Sequence, residues 1–177
     1  MKKVLLCTAI VAAFGSGCAT KGDQKKVMSG DERAVALVQI ANGALLEGDA
    51  TGALENLLRA EKENSKLPEL HHSKALAYHA KHDLKTAIVS ARRAVELQPD
   101  YPDANNTLGK LLMDEGKYDD ALEPLTRAAN NPLYRDAYKP LTNLGIIHYR
   151  RNQFTTADTY LSRAITGSPT IACVAYY

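Results

Sequence analysis

The sequence predicts an all-α solenoid built from antiparallel helix pairs, about four of them plus the start of a fifth. Three observations carry this. Alanines seven residues apart recur at Ala53/Ala60, Ala87/Ala94, Ala121/Ala128 and Ala157/Ala164, with steps of 34, 34 and 36 residues between pairs. Seven residues are about two helical turns, so each pair lies on one helix face, where small side chains admit a close neighbour. A period of that length is one helix–turn–helix unit, which cannot bury its apolar face alone and must stack on its neighbours.

Each unit repeats the same internal marks. A small residue, Ala41, Ala75, Gly109 or Gly145, precedes the first alanine by twelve positions. Leu57, Ala91, Leu125 or Leu161 stands between the paired alanines. Turn residues separate the two helices at Gly48-Asp49, His82-Asp83, Glu115-Gly116-Lys117 and Asn152-Gln153, with Tyr118 and Phe154 just beyond two of them. Pro99, Pro132 and Pro169 close second helices, because proline disfavours helix in the residue before it. After the first unit a longer polar connection is expected over Glu61 to Lys66, before Leu67-Pro68 opens the second. The final complete helix is expected at about Thr155 to Thr166, with Tyr160 and Ile165 needing cover from a further unit.

These residues resemble the tetratricopeptide repeat, best in the third unit (Leu108-Gly109, Gly116, Tyr118, Ala121, Leu125, Ala128) and the fourth (Leu144-Gly145, Phe154, Ala157, Leu161, Ala164, Pro169). The resemblance covers roughly Asp31 to the end. It implies a surface that binds other proteins and leaves the partner open.

The chain divides into a signal at 1–17, a tether at 18–30 and the repeat domain at 31–177. Met1-Lys2-Lys3 followed by Val4 to Phe14 reads as an export signal, its apolar run too short to span about 30 Å of hydrocarbon. Gly15-Ser16-Gly17-Cys18 is similar to a bacterial lipobox, in which the exposed cysteine is acylated; Gly15 departs from the usual leucine-like residue. The alternative is an ordinary cleaved signal with an incidental cysteine. With the lipobox, Cys7 is lost, Cys18 carries lipid and only Cys173 remains, so no internal disulfide can form. By resemblance to sorted lipoproteins, Ala19 after the cysteine implies the outer membrane, with the repeats facing the periplasm. The polar stretch Ala19 to Gly30 reads as a flexible tether with a coil dimension of roughly 20 Å.

The full chain carries 22 basic and 20 acidic side chains; loss of Lys2 and Lys3 with the signal leaves the two in balance. That gives no electrostatic case for nucleic acid. No phosphate loop, metalloprotease helix or catalytic-serine elbow follows the signal, so neither an enzyme, a cofactor nor a small-molecule substrate is expected. His71, His72, His79 and His82 cluster in the second unit. A metal site is conceivable there, but no cysteine or carboxylate falls at matching offsets, and solvated helix histidines are the preferred reading. Cys173 is read as a small core residue.

Function is therefore expected on a surface. By repeat phase, the groove lined by first helices presents Val35, Val38, Asn42 and Leu45 in the first unit and Glu69, His72, Leu76 and His79 in the second. It continues with Asp103, Asn106, Lys110 and Met113 in the third and Lys139, Thr142, Ile146 and Tyr149 in the fourth. The partner-binding set drawn from these is Val35, Val38, Asn42, Leu45, Leu76, His79, Met113, Ile146 and Tyr149. An apolar lip with a polar rim suits an amphipathic partner segment. Packing of Val35, Val38 and Leu45 on the tether or a neighbouring helix is the competing expectation.

Between the third and fourth units the period lengthens by two residues, and Asn131-Pro132-Leu133-Tyr134 leads toward Asn143-Leu144-Gly145. Behind a lipobox and short tether, this resembles the type IV pilus biogenesis lipoproteins called pilotins. That resemblance implies a lipid-anchored outer-membrane protein that binds the pilus secretin and helps it reach the membrane and multimerise. Those proteins usually carry about six repeats, and truncation of a longer chain is expected here over docking of the apolar end Ile171 to Tyr177. The alternative function is a periplasmic adaptor for cell-wall hydrolases or proteases.

Overall fold

The computed structural model describes residues 28–167, and within them the chain forms eight α-helices and no strand. The lipobox-like stretch 15–18, most of the expected tether, and Pro169, Cys173 and the apolar end at 171–177 lie outside the described residues. The helices are α1 (Gly30–Leu46), α2 (Ala50–Glu63), α3 (Pro68–Ala80), α4 (Leu84–Leu97), α5 (Pro102–Asp114), α6 (Tyr118–Ala129), α7 (Tyr138–Arg150) and α8 (Phe154–Gly167). No described helix is long and apolar enough to cross a membrane.

Local chemistry sets each boundary. Ser29 and Glu32 form a reciprocal capping box at the start of α1. Asp49 and Asp83 accept from the backbone N–H of Gly52 and Thr86, so α2 and α4 each begin on a side-chain cap. Pro68 and Pro102 occupy the first turn of α3 and α5, where an N–H has no helical partner to lose. The four turns inside the repeats share one geometry. Gly48, His82, Gly116 and Asn152 all adopt positive φ, between 58° and 83°. The next residue's N–H reaches back to the carbonyls of Ala44, Tyr78, Leu112 and His148. This left-handed stop ties off the helix carbonyls and reverses the chain within a few residues.

The odd-numbered helices touch one another in succession, α1 on α3, α3 on α5 and α5 on α7. Each even-numbered helix packs against the odd-numbered helices beside it. The result is two layers, with odd helices inside and even helices outside. All eight repeating alanines are at most 2% exposed. Five of them, Ala53, Ala60, Ala87, Ala121 and Ala164, belong to two core clusters, one around α1 to α3 and a larger one from α3 to α8. Tyr160 and Ile165, expected to await a further unit, already pack partly buried against the larger cluster.

Two expectations need correction. The link after the first unit is no longer than its successor: α2 continues through Glu63, leaving residues 64–67, as 98–101 link α4 to α5. Helical Glu61 instead pairs with Lys74 of α3 at 2.9 Å. Nor are His71 and His72 solvated. His71 is 7% exposed and its Nε2 donates to the Ser65 carbonyl at 2.8 Å. Asn105 does the same one repeat later, donating to Pro99 O at 2.7 Å, so a polar side chain fastens each of these two inter-repeat links.

Candidate protein-binding groove

The inner face of α3, α5 and α7 forms a cavity of about 300 Å³. The repeat phase anticipated most of its wall: His72, Leu76 and His79 from α3, Asp103, Asn106 and Lys110 from α5, and Lys139 from α7 all line it. Side chains at this register project inward because successive odd helices keep the same phase against their neighbours.

His72 lies on the floor at the junction of the second and third repeats. Its Nε2 is 3.0 Å from Thr107 Oγ1 and its Nδ1 is 3.2 Å from the Tyr101 hydroxyl, whose ring it also meets edge-on at 5.2 Å. Burial holds His72 below its ordinary pKa, against the opposing pull of Asp103, and raises Tyr101 to about 12. Both groups are therefore neutral near pH 7, and the floor is polar without being charged.

The rim is charged. Lys110 and His79 converge on Asp114 at 2.8 and 3.3 Å, and Lys139 pairs with Asp136 at 2.5 Å. These groups are each about a third or more exposed, so their pairs remain open to exchange for a ligand's charges. Leu76, 38% exposed, supplies an apolar surface inside that rim.

Sequence phase alone missed Tyr134. The two-residue lengthening between α6 and α7 becomes a turn in which Asn131 accepts from the backbone N–H of Leu133 and Tyr134. That turn places Tyr134 in the cavity wall with Asp103. Burial and the neighbouring carboxylate push its pKa well above the ordinary tyrosine value. The signal was the break in the period: an insertion at a repeat junction has to go somewhere, and here it adds a side chain to the cavity wall.

Other predicted positions fall elsewhere. Val38 is 4% exposed and belongs to the first core cluster, because α3 packs over this part of α1. It is packing, not contact surface. Leu45 packs partly buried on the same cluster and Met113 on the larger one. Asn42 accepts from Ser73 Oγ at 2.6 Å, joining α1 to α3. Val35, 41% exposed, is an open apolar side chain on α1. Ile146 is half-buried and Tyr149 is 61% exposed, packed edge-on against Phe154 at 5.5 Å; neither lines the cavity. Among the described residues no group of three or more His, Cys, Asp or Glu could hold a metal ion.

A two-layer stack of helix pairs with an inward-facing groove defines an all-α repeat solenoid. Residues 78–139 match the tetratricopeptide repeat, and the described residues have the corresponding solenoid fold. The chain is similar to the type IV pilus assembly protein PilF of Pseudomonas aeruginosa, 24% identical over 159 residues, which covers 88% of this chain and 63% of that one. The solved structure of Pseudomonas aeruginosa PilF superposes with a TM-score of 0.76 at 21% identity, covering 79% of this chain and 63% of that one. PilW, described as a widely conserved type IV pilus biogenesis factor, gives 0.73 at 24% identity, over 78% of this chain and 63% of that one. YrrB, described as having an unusual peptide-binding site, gives 0.67 at 21% identity, over 81% and 74%. The chain thus spans less than two thirds of the length of PilF and PilW.

Proposed function

We propose that this chain is a non-enzymatic protein-binding factor of type IV pilus biogenesis. In this reading it is held at the outer membrane by acyl chains on Cys18, its repeats face the periplasm, and its groove binds a pilus secretin subunit. The observation that carries the reading is the likeness to the pilus assembly protein over 88% of the chain, at the level of sequence and not of fold alone. Ser16-Gly17-Cys18 at the end of a short apolar run supports the anchor.

The groove supports a segment of protein as ligand. Its exposed ion pairs, the neutral His72–Tyr101 floor and Leu76 offer charged, hydrogen-bonding and apolar contacts along one path. An extended or helical segment could take these in turn. The test is recovery of secretin with the affinity-tagged lipoprotein from detergent-solubilised envelopes, against a Leu76→Glu variant shown to be folded. Secretin bound by the parent and lost from the variant supports the proposal. Recovery of a cell-wall hydrolase or protease in place of secretin would replace it with the adaptor reading.

A further inference from the structure

The first repeat leaves exposed a face that every later repeat buries. Leu37 and Ile40 of α1 stand one period before His71 and Lys74, and two before Asn105 and Leu108. In the later repeats this register is packed under the preceding outer helix, with Asn105 at 0% and Leu108 at 5% exposure. In α1 no helix precedes it among the described residues, and Ile40 is 57% exposed. Solenoid ends that face water normally carry polar caps. This one carries Met28, Leu37 and Ile40 around a cavity of about 410 Å³.

The edge of the cavity is cationic. Arg59 and Lys62 of α2 line it, together with Arg33, which is bound to the one lining carboxylate, Glu63, at 2.6 Å. In the sequence, Lys21, Lys25 and Lys26 precede Met28, against a single acid, Asp23. Cys18 is ten residues before Met28, so an anchor there reaches at most about 35 Å from this face. Apolar side chains ringed by cations, next to the attachment point, match a bilayer surface that carries phosphate charge.

We propose that the outward face of α1 and α2, centred on Leu37 and Ile40 and edged by Arg59 and Lys62, seats the domain on an anionic phospholipid surface. This rests on the membrane-anchored reading above. It adds an orientation: the first repeat lies against lipid and the groove of the second to fourth repeats stays free for a protein.

The test places an environment-sensitive fluorophore on the intact lipoprotein at Ile40→Cys, with Cys173→Ser to remove the remaining thiol. A control carries it at Leu133→Cys, an 89% exposed site in the α6–α7 connection. Both are added to vesicles of phosphatidylethanolamine and phosphatidylglycerol containing nitroxide-labelled lipid. Quenching several-fold greater at Ile40 than at Leu133 is expected, and Arg59→Glu/Lys62→Glu should abolish the difference. Equal quenching at the two sites, including none at either, overturns the proposal. So does a difference that survives the charge reversal, which would point to a protein or purely apolar occupant. Acylation is read on the same preparations by mass: its absence defeats the anchor reading, while the probe comparison still decides the face.

Discussion

Gly109 and Leu125 share one volume: a Cβ built on Gly109 falls 2.4 Å from Leu125 Cγ. Gly145 and Leu161 repeat the relationship one unit on, at 2.6 Å. The glycine is required by the approach of the paired helix, since both sit in regular helix where alanine is otherwise preferred. We expect Gly109→Ala to destabilise the fold by about 1 kcal/mol, as overpacking outweighs the propensity gain. In a Leu125→Ala background the same change should stabilise, because the clash is gone. Chemical denaturation of the four proteins measures the coupling, and additive effects would contradict this packing account.

The turns offer a second check. His82 holds φ at 62° where Gly48 and Gly116 hold the equivalent positions at 83°. His82→Gly should stabilise the fold by a few tenths to about 1 kcal/mol, and Gly116→Ala should cost about 1 kcal/mol. Thermal melts of the two variants should therefore move in opposite directions.

A third expectation separates packing from binding on α1. Val38→Glu would place a carboxylate at a 4% exposed core site, so it should lower stability by several kcal/mol and lose binding only through unfolding. Leu76→Glu, at a 38% exposed site, should leave the melt within about 0.5 kcal/mol of the parent and weaken partner binding directly. Melts and partner recovery measured on the same preparations check both statements.

Acid stability should report on the groove floor. His72 has a lower pKa folded than its ordinary 6.5, so the unfolded chain binds the proton more readily. Its contribution to stability is present above about pH 6.5 and is lost as pH falls through the folded value. Glu63 and Asp83 are also held below their ordinary values of 4.5 and 3.8, so their losses come at lower pH. Denaturation at stepped pH should show stability falling just below pH 6.5 in the parent, with a flatter profile in His72→Gln.

How much of this was legible in the sequence follows from what each position must do. The alanine pairs and glycines are set by helix approach, a constraint that appears directly as residue size at a fixed period. The turns were legible at Gly48 and Gly116, but also at His82 and Asn152, where spacing and not residue type carried the signal. The groove of the second and third repeats followed from phase. Val38 did not, because phase gives direction and not cover, and α3 closes over α1 at that point. Tyr134 did not, because an inserted turn has no phase at all. The fastening of inter-repeat links by His71 and Asn105 was also hidden: their carbonyl partners at Ser65 and Pro99 carry no side-chain signature.

The central claim is that the inner face of the second to fourth repeats receives a secretin segment. Site-specific photo-crosslinking in living cells tests it most directly, with the crosslinking residue placed at Leu76, at Tyr134, or at Val89, which is 67% exposed on the outer helix α4. The account predicts a crosslinked product containing secretin from Leu76 and Tyr134 and none from Val89. Secretin captured equally from Val89, or from none of the three while the protein is present and folded, would contradict it.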